Sequence, residues 1–156
     1  MNEKKNITVR DLPSLIGQEL GRSNWHAISQ GQVNLFAEAT GDHAWIHVDP
    51  ERARTGPYGG TIAHGFLALS LVPALTAEAF ALEGAGLLVN YGINRVRFPA
   101  PLKVGSQVQL TTTLNGIEDS SFGKRLALGF EIRAEGLDRP VAVGETVVLL
   151  AREDGE

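Results

Sequence analysis

The chain of 156 residues contains no cysteine. That absence excludes a disulfide scaffold, a thiolate metal site and a cysteine nucleophile together, and it suits a reducing compartment. Positive charge is in deficit: 14 Lys+Arg stand against 18 Asp+Glu, a net charge of −4. No basic run extends beyond Lys4-Lys5, so the electrostatic footprint of a nucleic-acid binder is missing. Long hydrophobic runs are missing too. The most apolar stretch, Thr61 to Leu82, is interrupted by His64, Ser70, Pro73, Thr76 and Glu78. Its unbroken part is far short of the ~20 apolar residues that span a bilayer. The opening Met-Asn-Glu-Lys-Lys-Asn is followed by no apolar export segment. A cytoplasmic protein is expected, with no membrane and no nucleic-acid partner. The sequence also lacks a P-loop, a GxGxxG fingerprint and a GxSxG nucleophile elbow.

What is present reads as one globular domain over residues 1–156. The composition is 43% hydrophobic and 21% charged, with 18 Gly and 7 Pro. Residues 1–22 form a leader, packed on or loosely attached, in which Gly17 and Gly21 break any long helix. Ser23 to Ser29 reads as a short strand. Ser29 and Gln32 then fit a capping box. Val33, Phe36, Ala37 and Thr40 share one helical face, and Gly41 stands where helices end in a left-handed residue. Asp49-Pro50 suits the start of one helical turn inside an otherwise irregular stretch over 42–61. From Ile62 to about Phe80 the pattern is apolar all round, which places a helix inside the fold, with Pro73 bending it. Alternation from Gln107 to Leu114, from Leu126 to Ile132 and from Val141 to Leu150 predicts strands with one buried face. Leu87 to Phe98 alternates with a phase shift near Gly92, which predicts a bulge. The order predicts an α+β fold, an antiparallel sheet wrapped around a long central helix.

Two segments could carry chemistry. In Gly41-Asp42-His43-Ala44-Trp45-Ile46-His47 the carboxylate and the imidazole lie five residues apart. On one continuous helix they would diverge by about 140°, whereas a loop after a glycine cap lets both enter one pocket as an acid/base pair. In Thr61-Ile62-Ala63-His64-Gly65-Phe66 the start of the apolar helix presents unpaired N–H groups, and a glycine there lets a ligand approach the backbone. Such a site can bind an oxyanion. The structural alternatives are a capping Asp42, a backbone-bonded His47 and a Gly65 that serves packing. The spacings of His43, His47, His64, Asp42 and Asp49 match none of the usual metal motifs. His64 also lies beyond a long loop, so no metal is expected. His26 reads as structural or surface.

Phe36-Ala37-Glu38-Ala39-Thr40-Gly41-Asp42, Ile46 to Ala53, Ile62-Ala63-His64-Gly65-Phe66-Leu67 and Asn94 to Pro101 together resemble the MaoC-like dehydratases and (R)-specific enoyl-CoA hydratases, near their NodN-like branch. The resemblance runs from about Trp25 to Leu150. It implies a hotdog fold and the reversible addition of water to trans-2-enoyl-CoA, giving (R)-3-hydroxyacyl-CoA. It implies that Asp42 and His47 activate the water and manage the proton at Cα, with the Gly65 N–H holding the thioester oxygen. His64, Trp45, Tyr58 and Arg97 are the expected substrate contacts. No cofactor is implied, since CoA is only the substrate's handle. Where many members carry Asn-Pro, this chain has Ala44-Trp45, and the indole is expected to line or shorten the acyl pocket.

Two other readings share the fold. One is a non-catalytic, NodN-like module that binds acyl thioesters. The other is a hotdog acyl-CoA thioesterase, which generally needs an acid within the central helix facing the thioester. Glu78 is the one acid there, and it lies near the wrong end. A homodimer is expected, because a sheet of this size wrapped on one helix leaves an edge to cover.

Overall fold

The computed structural model describes residues 3–151. A first strand β1 (Lys5–Thr8) leads through a 3-10 helix (Val9–Leu15) to β2 (Glu19–Arg22) and β3 (His26–Ala27). Helices α1 (Gln30–Thr40), α2 (Trp45–Val48), α3 (Pro50–Arg54) and α4 (Gly65–Ala79) follow. The rest is strand: β4 (Phe80–Glu83), β5 (Leu88–Arg97), β6 (Gln107–Ser120), β7 (Gly123–Ala134) and β8 (Ala142–Ala151). The main sheet is antiparallel in the order β2-β6-β7-β8-β5, and β3 also pairs with β6. β1 and β4 form a separate parallel pair. This is the expected α+β arrangement.

Burial follows the sequence pattern. Val108, Leu110, Thr112 and Leu114 of β6 are buried, as are Leu126, Leu128, Phe130 and Ile132 of β7. They meet Leu67, Ala68, Val72, Leu75 and Ala79 of α4 and form the core in two contiguous clusters. The bulge expected near Gly92 is present as a register shift between Asn90 and Gly92. A second shift lies between Asn94 and Arg97, where Arg95 takes a left-handed φ of 51°.

The structure decides one open alternative and corrects two expectations. The leader is packed into the fold from β1 onward: Leu12 and Leu20 are fully buried, and β2 is a strand of the main sheet. Gly21 is a strand residue there, paired with Thr112, and it must be glycine because a Cβ would stand 2.3 Å from the Ala79 carbonyl oxygen. The strand over 23–29 shrinks to His26–Ala27, since buried Ser23 spends its hydroxyl on the Leu110 N–H at 2.9 Å. Finally, α4 is not buried all round. Phe66, Ser70, Pro73, Ala74 and Ala77 form an exposed, largely apolar stripe, with Phe66 68% exposed. Strand β5 lies at the sheet's edge and is open on both faces, with Tyr91 61% exposed. No helix among the described residues is long and apolar enough to cross a membrane.

Candidate active site

Helix α1 delivers Asp42. Ser29 caps its start by accepting the Gln32 N–H at 3.1 Å. Gly41 ends it at φ 77°, its N–H donating to the Ala37 carbonyl at 2.8 Å. The chain then turns off the helix axis through Asp42-His43-Ala44. His47 stands on α2, a single turn that replaces the expected loop. That turn has no side-chain cap and is held from outside: the Gln30 amide donates to the His47 carbonyl at 2.7 Å, and the Ile62 N–H to the Ile46 carbonyl at 3.0 Å. Asp49 then caps α3 by accepting the Arg52 N–H at 3.0 Å, as its place before Pro50 implies.

These supports fix the chemistry of His47. The residue is 8% exposed, and Nδ1 lies 2.7 Å from the Ile62 carbonyl oxygen. A carbonyl only accepts, so Nδ1 carries the proton and Nε2 keeps its lone pair. His47 is thereby set as a base through Nε2. The Ile62 carbonyl is the functional group that sequence reasoning missed, and no side-chain pattern could reveal a backbone oxygen.

His64 immediately precedes α4, without a side-chain capping bond, and is only 3% exposed. Its ring stacks on His47, with centroids 3.9 Å apart and planes 26° apart. The loop that separates His64 in sequence folds it back, so that one polar atom each from Asp42, His47 and His64 lies within 4.8 Å of the others. Sequence distance is therefore no argument against a metal here. The stack is one: imidazole nitrogens bind metal in the ring plane at about 2.0–2.1 Å, and two stacked rings offer no common point at that distance. His43 pairs with Glu38 at 3.7 Å, and Asp49 is occupied as a cap.

Gly65 opens α4. The first bonds inside the helix run from the Leu67 and Ala68 N–H groups to the His64 carbonyl, at 3.0 and 3.2 Å. The Gly65 N–H is a first-turn donor with no intrahelical partner, on the residue next to the stacked histidines. The Phe98 ring covers its Cα. Of the other expected contacts, Trp45 is taken up by α3 and the segment after it, with Arg52 lying 4.3 Å over its ring and Gly56 beneath it. Tyr58 and Arg97 are exposed, and the Arg97 guanidinium donates to the neighbouring Val96 carbonyl at 2.8 Å. The structure brings Asp42, His47 and His64 together with Gly65 next in the chain, while the contacts of Trp45 are with Arg52 and Gly56 and that of Arg97 is with Val96.

Elsewhere on α4, Glu78 accepts from the Asn24 N–H at 3.2 Å and pairs with His26 Nε2 at 2.8 Å. The His26 hydrogen bond holds its carboxyl below the usual range. Behind the C-terminal half of α4 a groove of about 380 Å³ opens, lined by Val72, Pro73, Phe80, Leu88, Leu126 and Val148 among others.

The family model described as "MaoC like domain" matches residues 11–132. The chain is 49% identical over 142 residues to 3-hydroxyacyl-thioester dehydratase Z of Mycobacterium tuberculosis, covering 90% of this chain and 94% of that protein. It is 50% identical over 105 residues to nodulation protein N of Rhizobium leguminosarum, covering 66% and 65%. Among solved structures it resembles the (R)-hydratase of A. caviae with a TM-score of 0.71 and 25% identity, over 86% of this chain and 96% of that one.

Proposed function

We propose a function from one premise: the chain belongs to the MaoC-like domain family, and its sheet wrapped on a central helix is the hotdog fold. It is a hydro-lyase acting on 3-hydroxyacyl thioesters, and specifically an (R)-specific enoyl-CoA hydratase. The observation that carries this reading is the 2.7 Å contact of His47 Nδ1 with the Ile62 carbonyl, which leaves Nε2 as the basic nitrogen, on a residue with a ring nitrogen within 4.8 Å of an Asp42 carboxylate oxygen and near the Gly65 N–H, which has no backbone partner among the described residues.

Hydration needs a polarised carbonyl and a managed proton. The Gly65 N–H holds the thioester oxygen as enolate charge develops, a donor worth about 3 kcal/mol where mutation has measured one. His47 Nε2 takes a proton from water as the oxygen bonds to Cβ. Asp42 holds that water and balances the imidazolium. The same proton then passes to Cα, so one water is added and the pair returns to its starting state. Positioned acid/base groups contribute about 10²–10⁴-fold. No step calls for a metal or redox cofactor. The groove along α4 is sized and lined for an acyl tail. The exposed stripe of α4 and the open edge of β5 support a homodimer, since large contiguous apolar patches are normally covered. A cytoplasmic location accords with acyl-CoA chemistry. Glu78, tied to His26 and Asn24 far along α4 from Gly65, speaks against a thioesterase.

Crotonyl-CoA tests the reading. Loss of the enoyl-thioester absorbance without thiol release supports hydration. Thiol release would favour a thioesterase, and neither signal a binding module.

A further inference from the structure

His64 is buried, polar and unused by the reaction as written, and its surroundings explain it. Its Nε2 lies 2.9 Å from the backbone carbonyl oxygen of Asp42. That oxygen only accepts, so Nε2 carries the proton and Nδ1 holds a lone pair. Nδ1 is buried without a hydrogen-bond partner among the described residues. A ring present only to fill space would be better apolar, because an unpaired buried acceptor is destabilising. The other holds on Asp42 are longer: its N–H to the Thr40 hydroxyl at 3.4 Å, and its carboxylate to the Ala44 N–H at 3.3 Å. The Asp42 side chain is 57% exposed, so packing does not fix it either. On one face the His64 ring stacks on His47, and the Phe36 ring packs 4.9 Å away at 56°. The next residue in the chain is Gly65.

We propose that His64 is the positioning residue of this site: its Nε2–H anchors the Asp42 backbone while its ring face sets the His47 imidazole. One buried side chain thus ties the carboxylate, the base and the oxyanion donor into a single frame. The proposal rests on the hydratase reading, and its test separates the two.

His64→Phe keeps a ring between Phe36 and His47 and removes the donor. His64→Gln offers an amide N–H near the place of Nε2 and gives up the ring. For His64→Phe, kcat on crotonyl-CoA should fall by about tenfold or more with KM within about threefold, because ground-state binding is untouched. Its melting temperature should change little, since the loss of the Nε2–H bond is offset by the loss of the unpaired Nδ1. His64→Gln should recover part of kcat. Wild-type kcat in both variants, or a raised KM with kcat unchanged, overturns the proposal. Should both variants fail to fold, nitrogen-15 NMR of histidine-labelled wild-type protein decides. The expected result is a His64 with its proton on Nε2 and a His47 with its proton on Nδ1. A proton on His64 Nδ1 overturns the proposal. A wild-type protein silent on crotonyl-CoA overturns the hydratase reading instead, and the two tautomers still decide whether His64 holds the pair.

Discussion

Gly65→Ala separates two roles for one glycine. From the sequence the substitution promises to leave the melting temperature unchanged, because replacing glycine by alanine in a helix gains about 0.5–1 kcal/mol. The structure alters that expectation. A Cβ at Gly65 would meet three atoms of the Phe98 ring at 2.8–2.9 Å, where ordinary contact starts near 3.4 Å. The ring must move by roughly half an ångström or more, and overpacking of this kind costs about 1–3 kcal/mol. Phe98 is 40% exposed and has room to turn, which favours the lower part of that range. The net is a loss of about 0–2 kcal/mol, or up to roughly 8 °C for a chain of this length. In a Phe98→Ala background the clash is gone and only the helix term remains, so the same substitution should stabilise by up to about 1 kcal/mol. Urea unfolding of the four proteins measures the coupling as a double-mutant cycle. An equal effect of Gly65→Ala in both backgrounds would refute the steric argument. Crotonyl-CoA kinetics on the same four proteins then read the donor. The N–H survives the substitution, so any loss of kcat/KM caused by the displaced ring should shrink in the double mutant.

Asp42→Asn and His47→Ala should each abolish most hydratase activity while the protein stays folded by circular dichroism, and the double variant should be little worse, since the two act in one step. Additive losses would show that they do not share it. The Glu78 carboxyl is held low mainly by His26, so the stability it contributes is present above the unfolded carboxylate pKa and lost as pH falls through the lowered folded value. Glu78→Gln should therefore flatten the acid limb of a melting-temperature profile below about pH 5, and an unchanged limb contradicts the assignment. Tyr91→Lys on the open edge of β5 should shift sedimentation from twice the 16.7 kDa chain mass to the chain mass itself. A wild-type protein that already sediments as a monomer at micromolar concentration would remove the dimer.

The strands and α1 were legible because their signals are local. Alternation in β6, β7 and β8, the cap at Ser29 and the left-handed Gly41 each depend on neighbours in sequence. The leader strands were not, because β1 owes its pairing to β4, and β2 its conformation to β6 and a close approach to α4. The turn at α2 was missed for a similar reason: Trp45-Ile46-His47-Val48 has no cap, and its supports come from Gln30 and Ile62. At the site, residue types pointed to Asp42, His47 and Gly65, but which nitrogen of His47 is basic depends on a carbonyl 15 residues away. The stacking of Arg52 over Trp45 was not legible either, because that partner lies seven residues on and only the turn into α3 brings it near.

The stereochemistry of the product tests the central claim most directly. Wild-type protein, crotonyl-CoA and water should give 3-hydroxybutyryl-CoA of the (R) configuration by chiral chromatography after hydrolysis, and His47→Ala should give none. An (S) or racemic product would contradict the (R)-specific reading, and undiminished product from His47→Ala would contradict the account of one base acting from one fixed nitrogen.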